Sequence, residues 1–457
     1  MRLGITVGGL VWNHFFLPSR IREFYSRLKV ALAPPRPALD EMRADELAAY
    51  YHGLERQLLT RWDAPLINDF FAMIFYGTLR KLAEKWCGDE AGTLQNDLLC
   101  GEGGMISAEP AHRVRELATL ASDHPEFVLV LCEGSVAAIL EAMNAAPSFK
   151  IRYDDYLEKF GDRCLEELKL ESATLHDDPS LLLRAIGQLA RSSVPKAAPA
   201  CAETSLRAQA EQRAEKSLRG HPLRRVLFRW VLRHARARVR NRENLRFERT
   251  RLFGRVRRVF VELGQRLHAL NRLEEARDVF YLEVNEVLGF VEGTTTTTDL
   301  KSLVALRKKE FAGYREAEPP GDRFETRGAV HHANTFQKST KGVQAVGGSQ
   351  RKGIGCCPGV VRGTVRVVID PRKATLQVGE ILVAERTDPG WILLFPSASG
   401  LLVERGSLLS HSAIVAREMG IPAIVSIEGV TRWLKTGDVV ELDGSTGIIR
   451  KLEPSTA

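Results

Sequence analysis

The chain has 457 residues, too many for one ordinary core, and 44% hydrophobic with 27% charged residues is the balance of a soluble globular protein of two or three domains. No apolar run is long enough to cross a bilayer, so no membrane partner is expected. The formal net charge of +8 is concentrated between residues 207 and 258; such a charge suits phosphate-bearing ligands or an acidic partner. Nucleic acid is not expected, because no recognised nucleic-acid motif is present.

Seven cysteines are scattered without zinc or redox spacing. They read as reduced thiols in a cytoplasmic protein, and the early apolar stretch at 3–16 lacks the cleavage site of a signal peptide.

Up to about residue 309 the pattern is helical. Segments 40–62, 65–86 and 110–122 carry apolar residues at helical spacing. The glycine-rich stretch at 100–105 follows no predicted strand and lacks phosphate-loop spacing, so it reads as a helix connector. The longest predicted helix spans about 223–270, is rich in arginine, and holds Gly254 at some cost to its stability. Five threonines at 294–298 signal a loop. Residues 319–352 are rich in Gly, Ser, Thr, Lys and Gln and read as a flexible linker. His331 and His332 fall there, and no metal site is expected.

Beyond the linker the period changes. Strand-like runs occupy 361–369, 380–385, 400–403 and 423–427. A short helix is predicted over 410–419, closed by Gly420 with Pro422 just beyond. Residues 439–442 and 448–452 flank a turn at 443–447 and predict a hairpin. The expected architecture is therefore multidomain: a large, mostly α-helical region at 1–318, the linker at 319–352, and a small C-terminal α/β domain at 353–455.

Within that domain His411 opens the predicted helix, with Ser410 as its N-cap. Unpaired backbone N–H groups and the positive end of the helix dipole would surround a phosphate held on the imidazole. Imidazole is a good neutral nucleophile near pH 7, and a phosphorylated histidine splits one hard transfer into two easier ones. A histidine in this place can also simply cap the helix or pack at its start. The phosphoryl reading requires a ring open to solvent.

The segment Gly406-Ser-Leu-Leu-Ser-His-Ser-Ala-Ile-Val-Ala-Arg-Glu418 closely resembles the signature of the phosphoenolpyruvate-utilising enzymes, the family of phosphoenolpyruvate synthase and rifampin phosphotransferase. Ser407 departs from the family's second glycine. The resemblance extends through Val383-Ala-Glu-Arg-Thr-Asp-Pro-Gly-Trp391, Leu394-Phe-Pro396 and Gly420-Ile-Pro-Ala423, and so over about 353–452. It implies a swivelling phosphohistidine domain in which His411 is catalytic. Ser410, Ser412, Thr387, Asp388 and Glu404 would then support the phosphate; turn and strand-end roles account for the last three equally well. Arg417, six residues past His411, does not share its helix face and would anchor the domain's own structure.

A looser resemblance to rifampin phosphotransferase-like and phosphoenolpyruvate synthase-like proteins covers the helical region. It rests on Tyr156-Leu-Glu-Lys-Phe-Gly-Asp-Arg163, Glu166-Glu-Leu-Lys-Leu170, the arginines 242, 246 and 249, and Asp278-Val-Phe-Tyr-Leu282. It implies that this region binds the phosphoryl acceptor, a small molecule, with Arg163, Glu166, Arg242, Arg246 and Arg249 as acceptor or docking candidates. The last three fall at helical spacing and could present one cationic face, or be a solvated face paired with Glu243 and Glu248. Arg163 and Glu166 serve equally as a helix-packing pair.

Relatives carry an ATP-grasp domain that charges the histidine. None is found here, nor a Walker-type loop. The chain alone is expected to bind no cofactor, with ATP and Mg2+ reaching it through a separate ATP-grasp nucleotide-binding subunit. The expected function is a phosphotransferase component of dikinase type, incomplete alone; the alternative is a catalytically inactive binding or regulatory protein.

Overall fold

The computed structural model describes residues 2–89, 93–99, 104–192, 200–317, 324–325, 337–338, 348–374 and 376–452. Their contacts define two compact units. One comprises Met1–Arg36, Tyr51–Arg257 and Ser349–Ala457, and the other Pro37–Tyr50 and Arg258–Gly348.

In the first unit the helix Glu109–Ser122 starts with Pro110, whose missing N–H costs nothing in a first turn. Its Val114, Leu117, Ala118 and Ala121 are buried on one face. The helix Ser180–Arg191 buries Leu182, Leu183, Ile186 and Leu189 in the same apolar cluster. At Gly187 a Cβ would lie 2.9 Å from the Leu131 Cβ, so a glycine is needed there for the close approach. The 48-residue helix Pro222–Ala269 also keeps its internal Gly254 for a packing reason: a Cβ would fall 2.3 Å from the Asp162 carboxyl group.

The same unit holds the α/β segment. In chain order the strands of the protein are β1 (Phe324–Glu325), β2 (Gln337–Lys338), β3 (Gln350–Lys352), β4 (Ile354–Cys357), β5 (Val360–Val368), β6 (Ile381–Ala384), β7 (Gly400–Val403), β8 (Ala423–Val425), β9 (Val439–Asp443) and β10 (Ile448–Leu452). The last eight form one sheet in the order β3-β10-β9-β5-β6-β7-β8-β4. Strands β5 to β8 run parallel, and antiparallel strands flank them on both sides. All residues of β6, β7 and β8 are buried, as expected of parallel strands covered on both faces. The predicted hairpin is β9–β10, its turn held by Asp443 accepting from the Ser445 N–H at 2.9 Å and the Thr446 hydroxyl at 2.7 Å.

One face of this sheet does not have a core of its own. Trp391, Ile392 and Phe395 join Val114, Leu117, Leu183 and Ile186 of the helices in a single apolar cluster. The opposite face packs Ile381, Val383, Leu402, Ile424 and Leu434 into a second cluster. The fold is thus a large helical region followed by a small α/β segment.

In the second unit the helix Leu300–Glu316 is fixed by two ion pairs, Arg307 with Glu286 at 2.6 Å and Lys308 with the buried Asp278 at 2.5 Å. Of the residues read as a linker, most lie outside the described ones, His331 and His332 among them; β1 and β2 pair antiparallel.

Candidate active site

The loops after β6 and β7 meet at the carboxyl ends of the parallel strands, the edge where open α/β sheets bind ligands. After β7 the chain enters the helix His411–Met419. Ser410 is extended (φ −69°, ψ 155°), and its hydroxyl accepts the Ala413 N–H at 3.4 Å, while Gly420 closes the helix in the left-handed region at φ 65°. The Ser412 hydroxyl lies 3.1 Å from that of Ser410.

Two arginines hold the loop that leads to the histidine. Arg417, buried in the same short helix, donates to the Leu408 carbonyl at 2.8 Å and to Asn96 at 3.4 Å. Arg242, from the long helix, donates to the Leu409 carbonyl at 2.9 Å. Consecutive carbonyls are thus pinned from opposite sides.

The helix starts where the sequence places it, but the ring is not open to solvent. His411 is 4% exposed. The cause is Glu243, 168 residues away on the long helix, whose carboxylate lies 3.3 Å from the imidazole Nδ1. Glu243 is itself 1% exposed and accepts a second hydrogen bond from the Ser107 hydroxyl at 2.8 Å. Burial alone would raise its carboxyl. The His411 hydrogen bond and charge, the Arg246 charge and the Ser107 hydrogen bond outweigh that and bring it down to about 2. An ionised carboxylate only accepts, so Nδ1 donates this hydrogen bond and Nε2 is the ring nitrogen left outside it. Nε2 is buried with no hydrogen-bond partner among the described residues. Sequence reading had met Glu243 only as a possible surface partner for the neighbouring arginines, and Ser107 not at all.

The loop after β6 brings Thr387 and Asp388. The Asp388 carboxylate accepts the Gly390 N–H at 2.9 Å and the Glu166 N–H at 2.7 Å, joining the sheet to the helical region. Burial pushes its carboxyl up, against those two N–H groups and the His411 charge. Glu166 sits at φ 57°, in the left-handed region that a non-glycine residue rarely adopts. The Thr387 hydroxyl is buried without a partner among the described residues. Glu404 is engaged elsewhere: it accepts from the Thr431 hydroxyl at 2.5 Å and the Thr431 N–H at 3.2 Å, at the start of the helix Val430–Trp433.

A cavity of about 830 Å3 lies alongside. Arg163, Glu166, Arg246, Arg249, Thr387 and Asp388 line it together with Tyr156, Leu165, Trp391 and Ile392; His411 lies outside this lining. The three arginines at helical spacing therefore do not act as one face. Arg242 turns to the loop and lies 3.7 Å from Asp69, whereas Arg246 and Arg249 reach the cavity. The Arg246 Nε is buried and unpartnered among the described residues. Burial and the neighbouring Arg246 lower the Arg249 guanidinium. Arg163 is held in a buried pair with Glu167 at 2.9 Å, over the Phe247 ring, and Glu167 also accepts from Thr250 at 2.7 Å. The Glu166 side chain pairs with Lys169 at 2.7 Å.

Among the described residues no group of three or more His, Cys, Asp or Glu side chains is arranged to hold a metal ion, and no helix is long and apolar enough to cross a membrane.

His411 thus stands at the carboxyl edge of a small, partly parallel sheet, at the start of a short helix. Residues 376–447 match the PEP-utilising enzyme mobile domain, and residues 66–243 match the rifampicin phosphotransferase fourth domain. The chain thus carries a match to the mobile domain of PEP-utilising enzymes in its α/β segment. It is 30% identical over 349 residues to an uncharacterized protein of Mycobacterium tuberculosis (76% of this chain, 37% of that one). It is 27% identical over 377 residues to a rifampicin phosphotransferase of Streptomyces sp (81% and 42%). To the prodigiosin synthesizing transferase PigC of Serratia marcescens it is 26% identical over 417 residues (87% and 45%). The chain spans less than half the length of these curated relatives.

Proposed function

We propose that this chain is the phosphoryl-carrying and acceptor-binding part of an ATP-dependent phosphotransferase, of the dikinase or phosphoenolpyruvate synthase type. The observation that carries the reading is the His411 imidazole at a helix N-terminus, with Nδ1 held by buried Glu243 and Nε2 left outside that hydrogen bond. The described arrangement buries the ring, so the histidine segment has to leave the helical region before Nε2 attacks the β-phosphorus of ATP held, with Mg2+, on a separate ATP-grasp subunit. An N–P bond forms, AMP leaves, and water then cleaves the outer phosphate from the pyrophosphorylated ring as orthophosphate. The histidine segment then returns to the helical region, where a hydroxyl of the acceptor takes the phosphoryl group. The acceptor occupies the 830 Å3 cavity, a volume that suits a drug-sized molecule. Arg246 and Arg249 neutralise phosphoryl oxygens during transfer, and Asp388 receives the hydroxyl proton. Ser410, Ser412 and Thr387 add hydroxyl donors beside the phosphoryl group, and the setting is the cytoplasm.

The names of two relatives support this reading, since both are transferases and one transfers phosphoryl groups. Incubation with potassium phosphoramidate, a small chemical donor that bypasses the nucleotide subunit, tests it. Intact-mass analysis should show one acid-labile phosphoryl group in the wild type and none in His411→Ala. Wild-type protein that takes up no phosphoryl group, or takes it up equally in the variant, leaves a binding or regulatory protein as the function.

A further inference from the structure

We propose that Glu243 is a positioning residue that holds the proton on Nδ1 of phosphorylated His411, so that the phosphoryl group is labile only while the histidine lies against the long helix. The inference rests on the phosphohistidine reading and deepens it.

The chemistry is that of a leaving group. When the N–P bond breaks, its electron pair returns to Nε2, and the phosphorus forms a bond to the attacking oxygen. With a proton on Nδ1 the ring departs as neutral imidazole. Without that proton it would depart as an anion, a far poorer leaving group. The proton lost by the attacking hydroxyl goes to Asp388, so the ring needs to give up nothing.

The geometry supplies the means. The carboxylate that faces Nδ1 is 1% exposed and is turned toward the ring by the Ser107 hydroxyl. An opposite charge at that distance, shielded from water, favours the protonated ring. Other charges bear on the pair: Asp388 acts on His411 from the β6 loop, and Arg246, Arg249 and Asp69 act on Glu243. None of these takes the place of Glu243 at Nδ1.

Glu243 belongs to the long helix and His411 to the α/β segment. A histidine that travels therefore leaves its carboxylate behind. In transit the Nδ1 proton is lost more readily, and the N–P bond is protected from water. Against the helix the proton is restored, and transfer is switched on where the acceptor waits.

The test uses full-length protein charged with phosphoramidate, with water as the acceptor and phosphorus NMR as the readout of phosphohistidine loss across pH. At pH 8 Glu243→Gln should lose its phosphoryl group about tenfold more slowly than wild type, equivalent to roughly 1.4 kcal/mol. The two rates should converge at acid pH, where the solvent protonates Nδ1. Glu243→Asp should recover part of the difference. Ser107→Ala, which removes the hydroxyl that turns the carboxylate toward the ring, should fall between wild type and Glu243→Gln and covers the case in which the Gln variant does not fold. Superimposable pH profiles for wild type and Glu243→Gln would overturn the inference, as would, where the Gln variant does not fold, a Ser107→Ala profile identical to that of wild type. A wild type that never takes up a phosphoryl group would instead sink the phosphohistidine reading itself.

Discussion

The two sides of the His411 imidazole are built by different means. On the sheet side everything is local: Ser410 caps the helix, Arg417 pins Leu408, and Gly420 ends the turn, all within a dozen residues. On the helix side everything is distant: Glu243, Arg242 and Ser107 approach from more than 160 residues away in sequence. The local side fixes where the ring is. The distant side fixes which nitrogen is engaged by Glu243, and through Arg242 it also holds the loop.

The comparison can be broken most forcefully at Arg163. Arg163→Ala leaves Glu167 buried without its cation, which should cost about 3–5 kcal/mol. Denaturant unfolding checks this, and the loss should appear in the whole first unit rather than at His411 alone. Next is acid. The Glu243 carboxyl lies at about 2, below its ordinary 4.5. Its contribution is complete above 4.5 and is lost as pH falls through the interval down to about 2. Glu243→Gln should flatten the stability profile across that window. A smaller effect is expected at the pin: Arg242→Ala removes one charged hydrogen bond to the Leu409 carbonyl, worth about 1.5–3 kcal/mol, while thermal unfolding of the sheet core stays near wild type. The smallest change is at Asp97, in the short helix Thr93–Leu98. Burial, aided by Asp89 and opposed by Arg213 and Arg417, raises its carboxyl from 3.8 to about 6. A raised acid gains stability as pH falls from above 6 toward 4 and weakens the fold above 6. Asp97→Asn should therefore be slightly more stable than wild type at pH 8, with the advantage gone near pH 4.

Much of this was legible in the amino-acid sequence because its signals are short-range. The N-cap at Ser410, the C-cap at Gly420 and the alternation that became β5 to β10 depend on neighbours a few positions apart. Gly254 looked like a weakness in a helix; its reason, the Asp162 side chain lying against it, is a tertiary contact that no periodicity encodes. The burial of His411 escaped for the same cause. So did the parting of the three arginines: helical spacing set them on one stripe, but the loop carbonyl drew Arg242 one way and the cavity drew Arg246 and Arg249 another. Asp388 takes the turn role expected of it and also accepts the Glu166 N–H from the helical region, a contact that no local signal encodes. Glu404 was taken up by Thr431.

The apolar cluster that Trp391, Ile392 and Phe395 share with the helices has a thermal consequence. Attachment by that surface is driven mainly by the release of ordered water, and this drive fades on cooling. The histidine-bearing segment should therefore grip its helical seat most firmly in warm solution and most loosely near freezing.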